Sequence, residues 1–401
     1  MTFSKLPVRS ALLSGLMGLP LLGTAQSSPS TITTAVPILT ISPDSRSGAL
    51  GEAGVALSPD ANSIYHNAGK LGFVTNSYSF SPSYTPWLAS ITDDMGLAYL
   101  SGYAKTGSRS AISASLMYFN LGEIQFRDFL NNPGQNFTPK EYAFSVGYGQ
   151  KLTDNFGVGA TARYIRSNLT DGSGDSQPGN ALAVDLGAYY NKDLSIGASD
   201  YNLGLGAAIT NIGNKITYTN PQQADFLPTT LKLGTAITRE LDAYNKLTLT
   251  VDFAKLLVPS PYYEEGVSAS DNTPAGQRVA AENESRRTKG IVPAALGSFS
   301  DAPGGFREEL REVNISAGAE YVYNDLLMAR VGYFYENPVK GARQYLSFGF
   351  GVRYQVFGVD GAYLVPNAKA NPLAETIRVS LHFNFNKLDE AFGDGTETPV
   401  N

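Results

Sequence analysis

Cysteine is absent from this sequence, histidine occurs twice, and only 16% of the residues are charged. No disulfide framework and no zinc-type cysteine spacing is therefore available, and no phosphate-cradling glycine motif is present. Positive charge is scarce as well: 30 Lys and Arg stand against 36 Asp and Glu, for a net charge of −6. That balance, with no basic stripe, excludes nucleic acid as a partner. Beyond the first two dozen residues no apolar run approaches the ~20 residues a membrane-crossing helix needs, and mean hydropathy is −0.14. What is plentiful is small or aromatic, namely 41 Gly, 23 Tyr and 20 Phe in 401 residues. One large all-β domain suits that composition better than several small ones.

The N-terminus reads as a secretory signal over residues 1–25. Lys5 and Arg9 precede the apolar stretch Ala11 to Leu22, and Gly23, Thr24 and Ala25 supply small residues at a cleavage site. An exported chain of this size without disulfides needs another source of rigidity, and a closed hydrogen-bonded barrel provides one. Near the far end, Ile377, Val379, Leu381, Phe383 and Phe385 alternate with Thr376, Arg378, Ser380, His382 and Asn384. A period of two puts these sets on opposite faces of a strand. About fourteen such segments recur between residues 77 and 386, which predicts an antiparallel transmembrane β-barrel with one face towards lipid and one towards a lumen.

Parity assigns the faces. Leu247, Leu249, Val251 and Phe253 face lipid, as do Leu346, Phe348, Phe350 and Val352, whereas Arg163, Asp185, Lys232, Asp252, Glu320, Arg330, Arg353, Asp360 and Arg378 face inwards. Both signs are present, so the lumen reads as cross-paired and filled. Tyr78, Tyr84, Tyr103, Tyr118, Tyr164, Tyr189, Tyr190, Tyr321, Tyr335 and Tyr363 fall towards strand ends, the place of an interfacial girdle. Connections alternate between short and long, which predicts both termini in the periplasm and the long loops at the cell surface. A polar, acidic tail, residues 387–401, follows the last strand.

Residues 26–76 break the β rhythm. Ala49, Ala53 and Leu57 sit at helical spacing, and Ser58 and Asp60 are possible caps. Such a small-residue segment either folds back into the lumen as a plug or forms a disordered linker. Its motifs are specific: Asp44-Ser45-Arg46, Gly51-Glu52-Ala53-Gly54-Val55-Ala56, Asp60-Ala61-Asn62-Ser63, Asn67 and Leu71-Gly72. They resemble the PorV family, outer-membrane barrels of the type IX secretion system within the FadL-like transport barrels. Asn67-Ala68-Gly69 stands where the FadL-like pattern has Asn-Pro-Ala. The resemblance implies a protein that docks beside the large translocon barrel and covers its lateral opening. It also implies binding of the C-terminal signal domain of secreted cargo and delivery to a sortase-containing attachment complex. Outer-membrane lipid is the surrounding partner, and no cofactor is implied. A FadL-like channel for hydrophobic solutes is the alternative, followed by a lipid A deacylase.

One connection, 256–311, is far longer than the ~12–15 residues usual for an unstructured loop. Its apolar ends offer Tyr262, Tyr263, Ile291 and Leu296 as contacts for a partner, and its polar middle is compatible with disorder. Catalytic candidates are few. His382 shares a face with Ser380 but lacks an orienting acid nearby in sequence, and Asp171 to Asp175 only faintly resembles a calcium loop. No catalysis is expected.

Overall fold

The computed structural model describes residues 30–88, 92–127, 131–170, 176–197, 199–220, 223–367 and 376–386. The signal segment, the acidic tail and the Asp171–Asp175 turn lie outside them. No helix among the described residues is long and apolar enough to cross a membrane; the crossings are made by strands.

In chain order the strands are β1 (Tyr78–Pro86), β2 (Met95–Gly107), β3 (Ser110–Leu121), a small hairpin of β4 (Ile124–Arg127) and β5 (Pro133–Phe137), then β6 (Lys140–Lys151), β7 (Phe156–Asn168), β8 (Gly179–Ile196), β9 (Ser199–Gly213), β10 (Thr230–Glu240) and β11 (Asn245–Leu256). After the long loop come β12 (Val313–Tyr323), β13 (Leu327–Tyr335), β14 (Gln344–Tyr354), β15 (Phe357–Pro366) and β16 (Ile377–Phe385). All but β4 and β5 form one closed antiparallel barrel of fourteen strands. The seam joins β1 to β16, with Tyr78 opposite Phe385 and Tyr84 opposite Val379. Closure pairs every strand edge, which a sheet surrounded by hydrocarbon requires. Stacked rings of Phe80 and Phe383, 4.3 Å apart, cover the seam from outside.

Burial follows the period of two. Leu249, Phe253, Leu346, Phe348 and Phe350 are exposed on the outer wall, and Asp252, Ser347, Arg330 and Arg378 are buried within. The girdle is narrower than the sequence predicts. Tyr84, Tyr118, Tyr164, Tyr321 and Tyr363 face outwards, but Tyr103 and Tyr189 are buried in the lumen. The ring of Tyr189 meets Phe73 edge-on at 5.2 Å. Parity decides this, since both fall on the inward positions of their strands.

Connections sort into two mouths. Gaps 108–109, 152–155, 197–198, 241–244, 324–326 and 355–356 are tight turns at one mouth; gaps 87–94, 122–139, 169–178, 214–229, 257–312, 336–343 and 367–376 are the longer ones at the other. The segment before β1 threads the lumen between them. Ser30 Oγ donates to Val339 O (2.9 Å) and Ala35 N to Phe226 O (2.9 Å), both at the long-loop mouth. At the other end of the segment, the Lys151 ammonium lies over the Phe73 ring beside a tight turn. The described chain therefore begins at the long-loop mouth and ends, after β16, at the tight-turn mouth. The termini themselves, expected together in the periplasm, lie outside the described residues; strand parity fixes where β1 starts but says nothing about the direction in which a plug is threaded.

Candidate functional site

The plug is built from short pieces: a 3-10 turn at Pro37–Thr40, helix α1 (Ser45–Ala49), helix α2 (Ser63–His66) and a 3-10 turn at Ala68–Phe73. Asp44 caps α1 by accepting from Ser47 N (2.8 Å) and also binds His66 Nε2 at 2.8 Å. Residues 50–60 are turns rather than the helix suggested by the Ala49, Ala53 and Leu57 spacing, and Asp60 braces its own turn by accepting from Asn62 N (2.9 Å). Gly51 has φ +67° and donates to Ser347 Oγ (3.1 Å). Its neighbours pass so close to the wall that a Cβ on Gly332 would lie 2.1 Å from Gly51 N. A glycine in the strand is what allows backbone to meet backbone there.

Charged groups join plug and wall. Arg46 makes a two-bond clamp on Glu320 (2.8 and 3.1 Å) while also donating to Asp60 Oδ2 (3.1 Å) and to Ser58. Glu320 accepts from Arg330 (2.6 Å), which reaches Asp360 (3.0 Å), and Asp360 receives Arg353 (2.7 Å) and His382 (2.8 Å). A second chain runs from Arg378 to Glu52 (2.8 Å), with Tyr345 OH donating to the same carboxylate (2.7 Å). Asp252 accepts two consecutive plug amides, Gly54 N (2.7 Å) and Val55 N (2.9 Å). Asn67 donates across to Ala188 O on β8 (2.8 Å). Arg163 stays within the wall, paired with Asp185 at 2.7 Å. Thus Asp44, Arg46, Gly51, Asp60 and Asn67 shape the plug, and Asp252, Arg330, Arg353 and Arg378 lie on the wall that holds it.

At the long-loop mouth the seat changes character. Val36, Ile38, Leu39 and Tyr65 pack against Leu97, Tyr99, Met117, Phe119 and Ile165 from β2, β3 and β7. A cavity of about 440 Å³ remains beside this cluster, floored by Glu52, Val55 and His66 of the plug and walled by Lys232, Asp252 and Phe334. The Lys232 ammonium sits 5.2 Å from the Tyr65 ring centre. His382 and Ser380 are held apart by other partners: the imidazole binds Asp360, and Ser380 Oγ meets Ser83 Oγ (2.7 Å) and Ser45 Oγ (3.0 Å).

The long loop is folded. Helix α3 (Pro274–Thr288) is capped by Thr273 accepting from Gly276 N (3.1 Å), α4 spans Ile291–Gly297, and α5 spans Phe306–Arg311. Arg286 of α3 ties the loop base by donating to Ser260 O and Asp301 O, each at 2.7 Å. Glu308, Glu309 and Glu312 are buried around two lysines. Lys255 contacts Glu309 (2.9 Å) and Glu312 (2.6 Å), and Lys340 contacts Glu308 (2.5 Å) and Glu312 (2.9 Å). Burial would push the Glu312 carboxyl up, but hydrogen bonds from Lys255, Ser260 and Lys340 prevail and hold it below its ordinary range.

Of the four contact candidates, only Leu296 stands out into solvent, at 71% exposure. Ile291 is half-buried. Tyr262 is bound through its backbone to the Asn283 side chain (2.8 Å), and Tyr263 OH donates to Glu308 (3.3 Å), so both serve the loop's own fold. Val292, within the apolar patch that Ile291 and Leu296 bound, is exposed too, and so are Phe299, Phe306 and Leu310, which are not among the four candidates. The i, i+4 spacings of Val292 with Leu296 and Phe306 with Leu310 were the available signal.

The barrel is similar to several solved structures. They include the toluene transporter TbuX of Ralstonia pickettii (13% identity, 85% of this chain and 98% of that one, TM-score 0.45) and the toluene transporter TodX of Pseudomonas putida (11%, 85% and 97%, 0.48). A FadL homologue of Pseudomonas aeruginosa is also similar (11%, 88% and 99%, 0.41). No curated protein matches the chain. Residues 24–263, more than half the sequence, match the family described as Type IX secretion system protein PorV. With its closed fourteen-strand wall and its plug, the chain belongs to that family of outer-membrane secretion proteins.

Proposed function

We propose that this barrel is a non-enzymatic carrier in type IX secretion, which binds the C-terminal signal domain of cargo on its long loops. In this reading the long-loop mouth faces the cell surface. The barrel docks beside the large translocon barrel, covers its lateral opening, and passes cargo to the sortase-containing attachment complex. The observation that carries the reading is the exposed apolar row Val292, Leu296 and Phe299 on and after α4, mounted on a loop that ion pairs and helix caps keep folded. An apolar patch on a rigid surface loop fits a protein partner better than free solvent. A channel for hydrophobic solutes needs an open path, and here the plug is bound across the lumen by charged groups from several strands. A deacylase needs a free nucleophile–base pair, whereas Ser380 and His382 are committed to separate partners.

The test is affinity purification of the full chain from envelopes carrying tagged cargo signal domain. Val292→Asp and Leu296→Asp together are expected to abolish cargo recovery while leaving the barrel's heat-modifiable gel mobility intact. Undiminished recovery would refute the assignment of α4. Normal cargo export with loss of long-chain lipid uptake on deletion would replace the secretion reading by the channel reading.

A further inference from the structure

Helix α5 is mounted in an unusual way. Lys255 occupies an outward position of β11, two residues beyond the exposed Phe253, yet it is 8% exposed because Glu309 and Glu312 cover it. The helix therefore sits over the barrel rim at the β11–β12 edge, with one residue, Glu312, between it and β12. Its acidic face is fastened inwards to Lys255 and Lys340. Its opposite face presents Phe306, 74% exposed, and Leu310, 57% exposed, one helical turn apart. Arg307 and Arg311 flank these, also exposed, and no carboxylate among the described residues lies within ion-pair distance of either. Below α5 the wall continues with Ile315, which faces lipid.

We propose that α5 is an interfacial anchor: Phe306 and Leu310 enter the acyl layer of the adjoining leaflet, and Arg307 and Arg311 bind lipid phosphates. The surface fits lipid because its apolar pair continues the barrel's hydrocarbon-facing band and its two unpaired arginines supply the complementary charge. Guanidinium groups suit phosphate through paired N–H donors. That the leaflet is the outer one rests on the orientation given above; that α5 lies in a bilayer does not.

The absence of cysteine makes the test direct. Leu310→Cys and Leu296→Cys chains, each carrying an environment-sensitive fluorophore, are reconstituted whole into vesicles of phosphatidylcholine and phosphatidylglycerol. The label at 310 is expected to be quenched by nitroxide-bearing phosphatidylcholine and to be several-fold less accessible to aqueous iodide than the label at 296. Equal iodide access at both positions would overturn the proposal, and so would protection at 310 that appears only when cargo domain is added. A Phe306→Cys label provides a second reading if Leu310→Cys fails to fold. Arg307→Gln with Arg311→Gln should raise iodide access at 310 and erase any difference between vesicles with and without phosphatidylglycerol. No change in that pair would overturn the phosphate contact.

Discussion

Glu320→Gln tests the electrostatic seat of the plug where it is most concentrated. The carboxylate accepts both arms of Arg46 and the Nε of Arg330 at 2.6 Å, and its side chain is 5% exposed. Glutamine keeps the shape and one acceptor oxygen but removes the charge. Arg330 retains Asp360, so the strain falls on Arg46, whose remaining carboxylate, Asp60, is its neighbour in the plug and gives no hold on the wall. Removing one partner of a buried pair costs about 3–5 kcal/mol when the other charge is left uncompensated. Because Arg46 keeps Asp60 and Arg330 keeps Asp360, the lower end, about 3 kcal/mol, applies. That corresponds to roughly two powers of ten in the equilibrium for unseating the plug. Amide exchange measures it without further mutation. Gly51, Gly54 and Val55 donate their amides to the wall side chains of Ser347 and Asp252, so their exchange requires the plug to leave its seat. These amides should exchange faster by about that factor in Glu320→Gln, with strand amides such as those of β12 unchanged. Adding Arg46→Met should restore part of the protection, since the buried guanidinium is gone and the Asp60 carboxylate it leaves is partly exposed and still accepts from Asn62 N. Unchanged exchange in the single variant would show that the plug is held by close packing and backbone contacts instead, and the ion-pair argument would fail.

Gly332→Val drives a side chain into the Leu50–Gly51 backbone, where even a Cβ meets atoms at 2.1 and 2.2 Å; it should unseat the plug and turn an otherwise silent barrel into a conducting one in planar bilayers, and a silent variant would refute the close-approach reasoning. Thr33→Cys at the long-loop mouth and Ser108→Cys at a tight turn, both exposed, should differ on intact cells: an impermeant maleimide labels the first alone, and labelling of the second alone would invert the proposed orientation. The α5 cluster carries a pH signature. Because the Glu312 carboxyl is held below its ordinary value of 4.5, its contribution to loop stability is fully present above that value and is lost as pH falls through the lower folded one. Proteolysis of the 301–312 segment should therefore be slow at neutral and mildly acidic pH and accelerate only in stronger acid; acceleration near pH 6 would contradict the assignment.

The barrel was legible because a strand reports its own facing. Thr376 to Phe385 alternates without interruption, and the register β1 to β16 follows from closing that strand on Tyr78 to Tyr84. What stayed hidden depends on relations between distant residues. Arg330 and Asp360 can be assigned to the lumen by parity, but their pairing with each other, and with Glu320 and Arg46, cannot. Tyr103 and Tyr189 were misread because a girdle was inferred from position along the strand, while side follows from parity. The loop's polar middle, suggestive of disorder, is the helix α3, whose faces show little amphipathic contrast and which is fixed by its Thr273 cap and by Arg286. Nothing local in the sequence marks Glu308, Glu309 and Glu312 for burial; only Lys255 and Lys340, 28 to 57 residues away in sequence, explain it.

The polar seat has a consequence for how the loops work. Apolar packing of similar volume would hold a plug at least as firmly as buried ion pairs do, so firmness alone does not account for the charges. What hydrogen-bonded charges add is register. Asp252 accepts two adjacent amides and Arg46 spans Ser58, Asp60 and Glu320, and neither pattern survives a shift of one residue along the wall. Register in the lumen is passed upwards, because the same segment ends as a strap bound to the 214–229 loop through Ala35 and to the 336–343 loop through Ser30. Lys340, from the second of these loops, holds Glu308 and Glu312 of the long loop. A continuous set of bonded contacts thus leads from the plug seat to the base of α5. A plug that fixes the loops this way closes the lumen and, in the proposed function, gives the long loop a rigid base from which to meet a partner.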